Sequence, residues 1–332
     1  MTGLRQFSPD VLRRHWFLLA LLGLAALTAA DRSGLVVGAG RWLGARRGAQ
    51  VCAFLMFLFS GLGLDGRQAR RGLADVRVLA VSLAVIFVGA PLVALAHSLL
   101  PLEPGIRIGL LLVSIMPTTL SSGVVMGALA GGNLATSLVV TVAASWLGIL
   151  TIPLSLEWLL GTARDTAAAA LDTSALAGDL AILVALPLVI GMGLRRVSAA
   201  AGLRLPAGIA SINQCLVLAV VWIALSRSHA TIRAASAAAA VSCALAFSFH
   251  AVLLLTAAGC AKAARLGPGR REVVWFMGGQ KTLPIAVLVQ TALFPTQGQA
   301  LVFCVVHHIV HLATDAYLVG KIAARRREPP RV

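Results

Sequence analysis

Long apolar runs alternate with short polar, mostly basic connections, and each run approaches the ~20 residues that a helix needs to cross a ~30 Å hydrocarbon layer. Ten runs can be read, at 16–30, 49–64, 76–100, 107–129, 134–160, 179–194, 208–226, 234–258, 273–295 and 301–321. The pattern predicts an all-α membrane protein with ten transmembrane helices. Two runs depart from the rest by carrying Pro, Gly and polar side chains in their interior: the fourth, SIMPTTLSSGVVMGALAGGN, and the ninth, WFMGGQKTLPIAV. Pro117 and Pro284 stand 167 residues apart in a chain of 332, close to half its length. Five spans in each half, 1–165 and 166–332, is an odd number, so the second half would sit inverted relative to the first, as in many secondary transporters. In such folds a pair of interrupted helices frees backbone carbonyls and half-helix ends near the midplane, where ion and substrate are held.

Composition narrows the class. Apolar residues make up 59% of the chain, 32 more residues are Gly, and only 12% are charged, about half of the ~25% usual in soluble chains. Nothing remains for a soluble catalytic domain. The formal charge of +16, from 28 Lys and Arg against 12 Asp and Glu, would suggest a nucleic-acid partner in a soluble protein. In a membrane protein it reflects the positive-inside bias and attraction to anionic headgroups, so lipids are the expected surface partner and nucleic acid is not. With the N-terminus inside, seventeen basic residues fall on the cytoplasmic side against eight outside: Arg32, Arg41, Arg46, Arg47, Arg107, Arg164, Arg227 and Arg233. Both termini are therefore expected in the cytoplasm, although Arg41, Arg46 and Arg47 run against the bias. The first run, preceded by Arg13 and Arg14 and ending in LTAAD, imitates a signal peptide but is needed as the first span.

Candidate chemistry sits in four runs. In the fourth, Pro117 removes a donor and crowds the preceding turn, and Thr118, Thr119, Ser121 and Ser122 offer hydroxyls that can resatisfy the opened backbone. Beyond the Gly131-Gly132-Asn133 turn, Ser137, Thr141 and Ser145 recur every four residues on one face of the fifth, as ligands or as packing residues. In the ninth, Lys281 lies beside Gly278, Gly279, Gln280 and Thr282, nine residues past Glu272. At ~1.5 Å per residue that is about 13 Å of helix, far for a snorkel, and a mid-membrane Lys costs ~2.5–3.5 kcal/mol, which marks a functional hypothesis. The paired glycines predict that Gly278 through Lys281, like Pro117 to Thr119, are non-helical backbone. In the tenth, His307, His311 and Asp315 share a face, with His308 alongside. They suggest a proton relay, a His311–Asp315 pair or, least of all, a metal site. Cys52, Cys215, Cys243, Cys260 and Cys304 lack CxxC spacing, so neither a disulfide framework nor a zinc site is indicated. With no Walker, GxSxG or HExxH sequence, neither an enzyme nor an ATP-driven pump is expected, and no catalytic residue or cofactor is assigned.

These features resemble the bile acid:sodium symporter superfamily: ten spans, MPTTLSSGVV followed by LAGGN and a polar-faced span, GGQKTL in the ninth, and His308 in the tenth. Within it they resemble the SBF-like branch of bacterial symporters and vertebrate sodium/bile acid cotransporter 7, to which Gly61-Leu62, Gln214 and His250 also conform. The resemblance covers nearly the whole chain. It implies two inverted five-helix repeats divided into panel and core domains, with the fourth and ninth helices discontinuous and crossing, in a bacterial inner membrane. It also implies that Ser122, Ser137 and Thr141 match sodium-ligating hydroxyls of coupled relatives. Where those relatives carry an amide and a glutamate, this chain has Gly123 and Phe276, and no Gln stands in the third span. The expected function is secondary transport of a small organic anion, with Na+ or H+ as coupling ion and sodium disfavoured. Pro117 through Thr119, Ser121, Ser122, Asn133, Ser137, Thr141 and Gly278 through Thr282 are the binding candidates, and His308, His311 and Asp315 the proton-relay candidates. An uncoupled facilitator and a membrane regulator of ion homeostasis that transports nothing are the other readings.

Overall fold

The computed structural model describes residues 9–64, 72–119, 122–162, 172–203, 208–234 and 236–327. Ser121 of the expected site and Arg5, Arg67, Arg70, Arg71, Arg164, Arg204 and Arg331 of the charge count lie outside them. Among the described residues all regular structure is helical. The helices are α1 (Pro9–Ala30), α2 (Leu35–Ala45), α3 (Gly48–Leu62), α4 (Val76–Ser98), α5 (Pro104–Ile115), α6 (Ser122–Leu129) and α7 (Leu134–Thr162) in the first half. The second half contributes α8 (Thr173–Ala200), α9 (Ile209–Arg227), α10 (His229–Ala234), α11 (Ser236–Ala263), α12 (Arg271–Gly279), α13 (Leu283–Leu293) and α14 (Gly298–Arg327). Six of them, α4, α7, α8, α9, α11 and α14, are long and apolar enough to cross a membrane, or seven spans if α1 and α2, bent by 106°, count as one. The protein is an integral membrane protein.

The stretch 31–48, expected as a connection, holds α2. Its glycines depress intrinsic propensity, so tertiary contacts make the helix: Trp222 Nε1 donates to the Val36 carbonyl at 3.1 Å and Arg41 Nε to the Ser226 carbonyl at 3.0 Å. Its N-terminal turn is organised by Asp31, whose carboxylate accepts from the amides of Gly34 and Val37.

Two groups of helices pack mainly within themselves. One comprises α1, α2, α3, α8 and α9; the other holds α4 to α7 and α11 to α14. In the first group α3 and α8 touch at Gly61 and Gly191, where an added Cβ on Gly61 would stand 2.3 Å from the Leu188 carbonyl oxygen. Only glycine allows that backbone approach.

The breaks have local causes. A helix running through Pro117 would need its N–H for the Val113 carbonyl; Pro has none, and Met116 donates to Val113 instead at 3.2 Å before the chain turns extended. In α12 the helix reaches Gly279, so Gly278 and Gly279 are helical, contrary to expectation. The Gln280 amide still finds the Phe276 carbonyl at 3.1 Å, which keeps the last turn closed. Pro284 then forbids the bond from position 284 back to the Gln280 carbonyl, so the break falls at Gln280–Thr282 and α13 begins with Pro in its first turn.

Candidate functional site

The two breaks meet. The Thr282 amide donates to the Pro117 carbonyl at 2.8 Å, joining the extended segments of the fourth and ninth runs through their backbones. Both segments lead into helix N-termini, those of α6 and α13, whose first amides carry partial positive charge.

Lys281 is 2% exposed, and its Nζ donates to the carbonyls of Ile86 at 2.8 Å and Met116 at 3.0 Å. Each acceptor is free for a structural reason. Val85–Gly89 in α4 is a π turn, in which the Ala90 amide bonds Val85 rather than Ile86, leaving the Ile86 carbonyl available. Met116 is the last residue before the Pro117 break. Among the described residues no carboxylate forms an ion pair with Lys281. The ammonium thus fills a small cage of main-chain oxygens deep in the bundle.

Gln280 organises the polar side of the junction. Its Oε1 accepts from Thr119 Oγ1 at 2.7 Å and Ser122 Oγ at 3.0 Å, and its Nε2 donates to Asp315 Oδ2 at 2.7 Å. Thr119 also accepts the Gly123 amide at 2.8 Å, one of the orphan donors at the start of α6. Asp315, fully buried, is 2.9 Å through Oδ1 from His250 Nε2 on α11. The expected His311–Asp315 pair is therefore absent, as is a Lys281–Asp315 pair, because both carboxylate oxygens are turned to His250 and Gln280.

Behind Asp315 lies a cluster of buried imidazoles. Ring centroids are 5.2 Å apart for His307 and His311, 4.7 Å for His308 and His311, and 5.7 Å for His250 and His311. Neither nitrogen of His308 or His311 finds a hydrogen-bond partner. Among the described residues no group of three or more His, Cys, Asp or Glu is arranged to hold a metal ion.

The hydroxyls that the resemblance matched to sodium ligands on α7 are engaged with their own helix. Ser137, Thr141 and Ser145 hydroxyls each donate to the carbonyl four residues earlier, at 2.9–3.0 Å. Asn133 caps the start of α7 through its side-chain oxygen, which accepts the Thr136 amide at 3.1 Å. Phe276 is buried in an apolar cluster with Ala130 and Val319, and a Cβ on Gly123 would already lie 3.0–3.1 Å from Thr119 Oγ1, Gln280 Oε1 and Met277 Cε. A side chain at position 123 would need those three neighbours to shift, and position 276 offers no carboxylate.

A narrow cavity of about 30 Å³, room for a single water, lies where the two helix groups meet. Thr119, Ser122, Thr282, Leu283, Pro284 and His308 line it from one group, and Phe17, Met56, Phe57, Ser60, Asn213 and Val217 from the other. Asn213 Nδ2 donates to Ser60 Oγ at 3.1 Å, while Asn213 Oδ1 has no partner. The structure therefore brings Thr119, Ser122 and Thr282 together at the cavity, sets Gln280 and Lys281 behind it, and leaves Ser137 and Thr141 in the α7 ladder. Sequence reasoning missed Asn213, Ser60 and the Ile86 carbonyl. The adjacent amides Asn213 and Gln214 in the otherwise apolar seventh run were the signal for the first; a π turn leaves none.

A profile of the SBF-like CPA transporter family matches residues 15–324. Among curated proteins, the chain is 31% identical over 226 residues to the probable sodium/metabolite cotransporter BASS4, chloroplastic, of Arabidopsis thaliana, a match spanning 64% of this chain and 51% of that protein. It is 30% identical over 299 residues to the protein of the same name in Oryza sativa subsp. japonica, covering 82% and 68% of the two chains. It is also 30% identical over 190 residues to sodium/bile acid cotransporter 7 of Xenopus tropicalis, covering 56% and 53%. The chain thus spans about half the length of the Arabidopsis relative.

Proposed function

The chain belongs to the SBF-like CPA transporter family, and from that premise we propose that it is a secondary active transporter moving a small organic anion across the membrane by alternating access. In this reading the helices form ten spans in two inverted repeats, 1–165 and 166–332. The broken pairs α5–α6 and α12–α13 are the crossing fourth and ninth spans, α1, α3, α8 and α9 the panel, and the remaining spans the core. Both termini face the cytoplasm of a bacterial cell, and the surrounding partners are the lipids of its inner membrane.

The observation that carries the proposal is the Thr282–Pro117 bond at the cavity between the two helix groups. It brings two half-helix N-termini to one place, which favours a negatively charged group, and the sliding of one helix group against the other would expose that place to either side. The cavity as it stands admits one water, as expected of an occluded state between two open ones.

Sodium is not the coupling ion in this account. Lys281 supplies a tethered cation to the carbonyl cage of Ile86 and Met116, so a mobile cation has no vacancy to fill there. The expectation that Lys281 would donate to Ser122, Ser137 and Thr141 is replaced by this cage. Proton coupling is favoured by the buried line from the Thr119 and Ser122 hydroxyls through Gln280 to Asp315 and His250, with the other imidazoles behind it. The test is uptake of a panel of labelled carboxylates and sulfonates into proteoliposomes. Accumulation of at least one of them above its equilibrium level under an imposed proton gradient supports the proposal; equilibration alone contradicts it.

A further inference from the structure

At the end of the bundle opposite both described chain ends, a cleft of about 590 Å³ opens between the two helix groups. Its size lies within the ~300–1,000 Å³ usual for small-molecule sites. Three arginines face it, Arg41 from α2, Arg47 at the start of α3 and Arg227 at the end of α9, together with Gln50, Gln290 and Thr291.

None of the three guanidinia is neutralised by a carboxylate among the described residues. At the other end of the bundle Arg270 pairs with Asp75, and Arg271 and Arg326 with Glu272, so carboxylates are at hand there, whereas none among the described residues lines this cleft. Arg46, next in the chain, lies 4.0 Å over the Trp42 ring. Arg41 is held in place by its Nε bond to the Ser226 carbonyl, which leaves its terminal nitrogens free to bind. Gln290 is 1% exposed and donates through Nε2 to the carbonyls of Phe294 and Gln297, while its Oε1 has no partner. A buried acceptor left without a donor is costly, and a ligand's O–H or N–H would relieve it. Arginines on this side also oppose the positive-inside bias.

We propose that this cleft is an anion-binding vestibule that takes a ligand carrying a carboxylate, sulfonate or phosphate for the arginines and an O–H or N–H donor for Gln290. Two sources share that chemistry: a hydroxylated organic acid approaching the transport cavity from outside, and the headgroup of phosphatidylglycerol. The direction of delivery rests on the transport reading; the binding does not.

The test uses the full chain in phosphatidylcholine nanodiscs, with malate, succinate and sulfate as probes followed by calorimetry. Malate should bind saturably and more tightly than succinate, which lacks the hydroxyl. The double substitution Arg47→Gln, Arg227→Gln should weaken malate binding at least tenfold, and salt at about 150 mM should weaken it in the wild type by screening. Binding that survives the double substitution unchanged, or no binding of any probe, overturns the proposal. Nanodiscs containing phosphatidylglycerol decide the source: malate displaced by that lipid in the wild type identifies the headgroup as occupant, and undisturbed malate binding identifies a soluble acid. Saturable malate binding by the wild type, lost in the double substitution but with no uptake of any probe into proteoliposomes, would fail the transport reading alone and leave the vestibule standing.

Discussion

The Thr282 amide donates to the Pro117 carbonyl across 2.8 Å, a main-chain bond that joins the halves of the chain at their breaks. It exists because each Pro denies its helix a ladder bond and leaves extended residues whose backbone groups need other partners. Restoring a donor with Pro117→Ala should let α5 continue toward α6 and pull the carbonyl out of reach. We expect the Thr282 amide to be protected from hydrogen exchange in the wild type and to lose protection in the variant, with uptake falling at least tenfold.

Gln280 should be as sensitive as a charged residue. Its amide is oriented by the hydroxyls of Thr119 and Ser122 on one side and by Asp315 on the other, and Gln280→Leu strips all three bonds at once. Removing one partner from buried polar groups costs about 1–3 kcal/mol per orphan, more for a charged one. The variant should lose several kcal/mol of thermal stability and all measurable uptake. Gln280→Glu, which keeps the shape, should fold but shift the pH dependence of uptake, because it sets a second carboxyl 2.7 Å from Asp315.

Lys281 offers a cleaner separation of folding from function. Lys281→Met abandons the Ile86 and Met116 carbonyls, a loss of about 1–3 kcal/mol for each. It also relieves the ~2.5–3.5 kcal/mol penalty of a mid-membrane ammonium. The terms are of similar size and opposite sign, so the melting temperature should move by only a few degrees while uptake fails. A collapse of expression in Lys281→Met would show that the ammonium is purely structural.

Much of this was legible from the chain because its signals are local. Apolar runs gave the helices, and Pro117 and Pro284 marked both breaks. The failures are tertiary. α2 was hidden because its glycines argue against a helix that only contact with Trp222 and Ser226 sustains. The partner of Asp315 is His250, 65 residues away on another helix, whereas His311 lay at the right helical spacing and invited the wrong pairing. Gly278 and Gly279 looked like the break itself, but a glycine only weakens a helix, whereas a proline forbids a bond.

Acid should loosen the end of the bundle where Asp75 caps α4 and meets Arg270. Asp75 accepts from the Val78 amide at 3.3 Å and from Arg270 at 2.6 Å through each oxygen. The Arg270 guanidinium holds the Asp75 carboxyl below the usual carboxylate range. A lowered value means that the unfolded chain binds the proton more readily, so the stabilisation is complete above about pH 4 and fades as the pH falls below it. Asp75→Ala should cost roughly 1 kcal/mol at neutral pH, mostly as a lost cap, since an ion pair this exposed contributes little. Its melting temperature should also depend less on pH below about 4 than that of the wild type.

The most direct test of the tethered-cation account is uptake of a transported anion into proteoliposomes, compared between sodium-containing and sodium-free buffers at fixed pH and across an imposed proton gradient. Rates should be equal with and without sodium, rise with the proton gradient, and vanish in Lys281→Met. Sodium-dependent, pH-insensitive uptake that persists in Lys281→Met would contradict it.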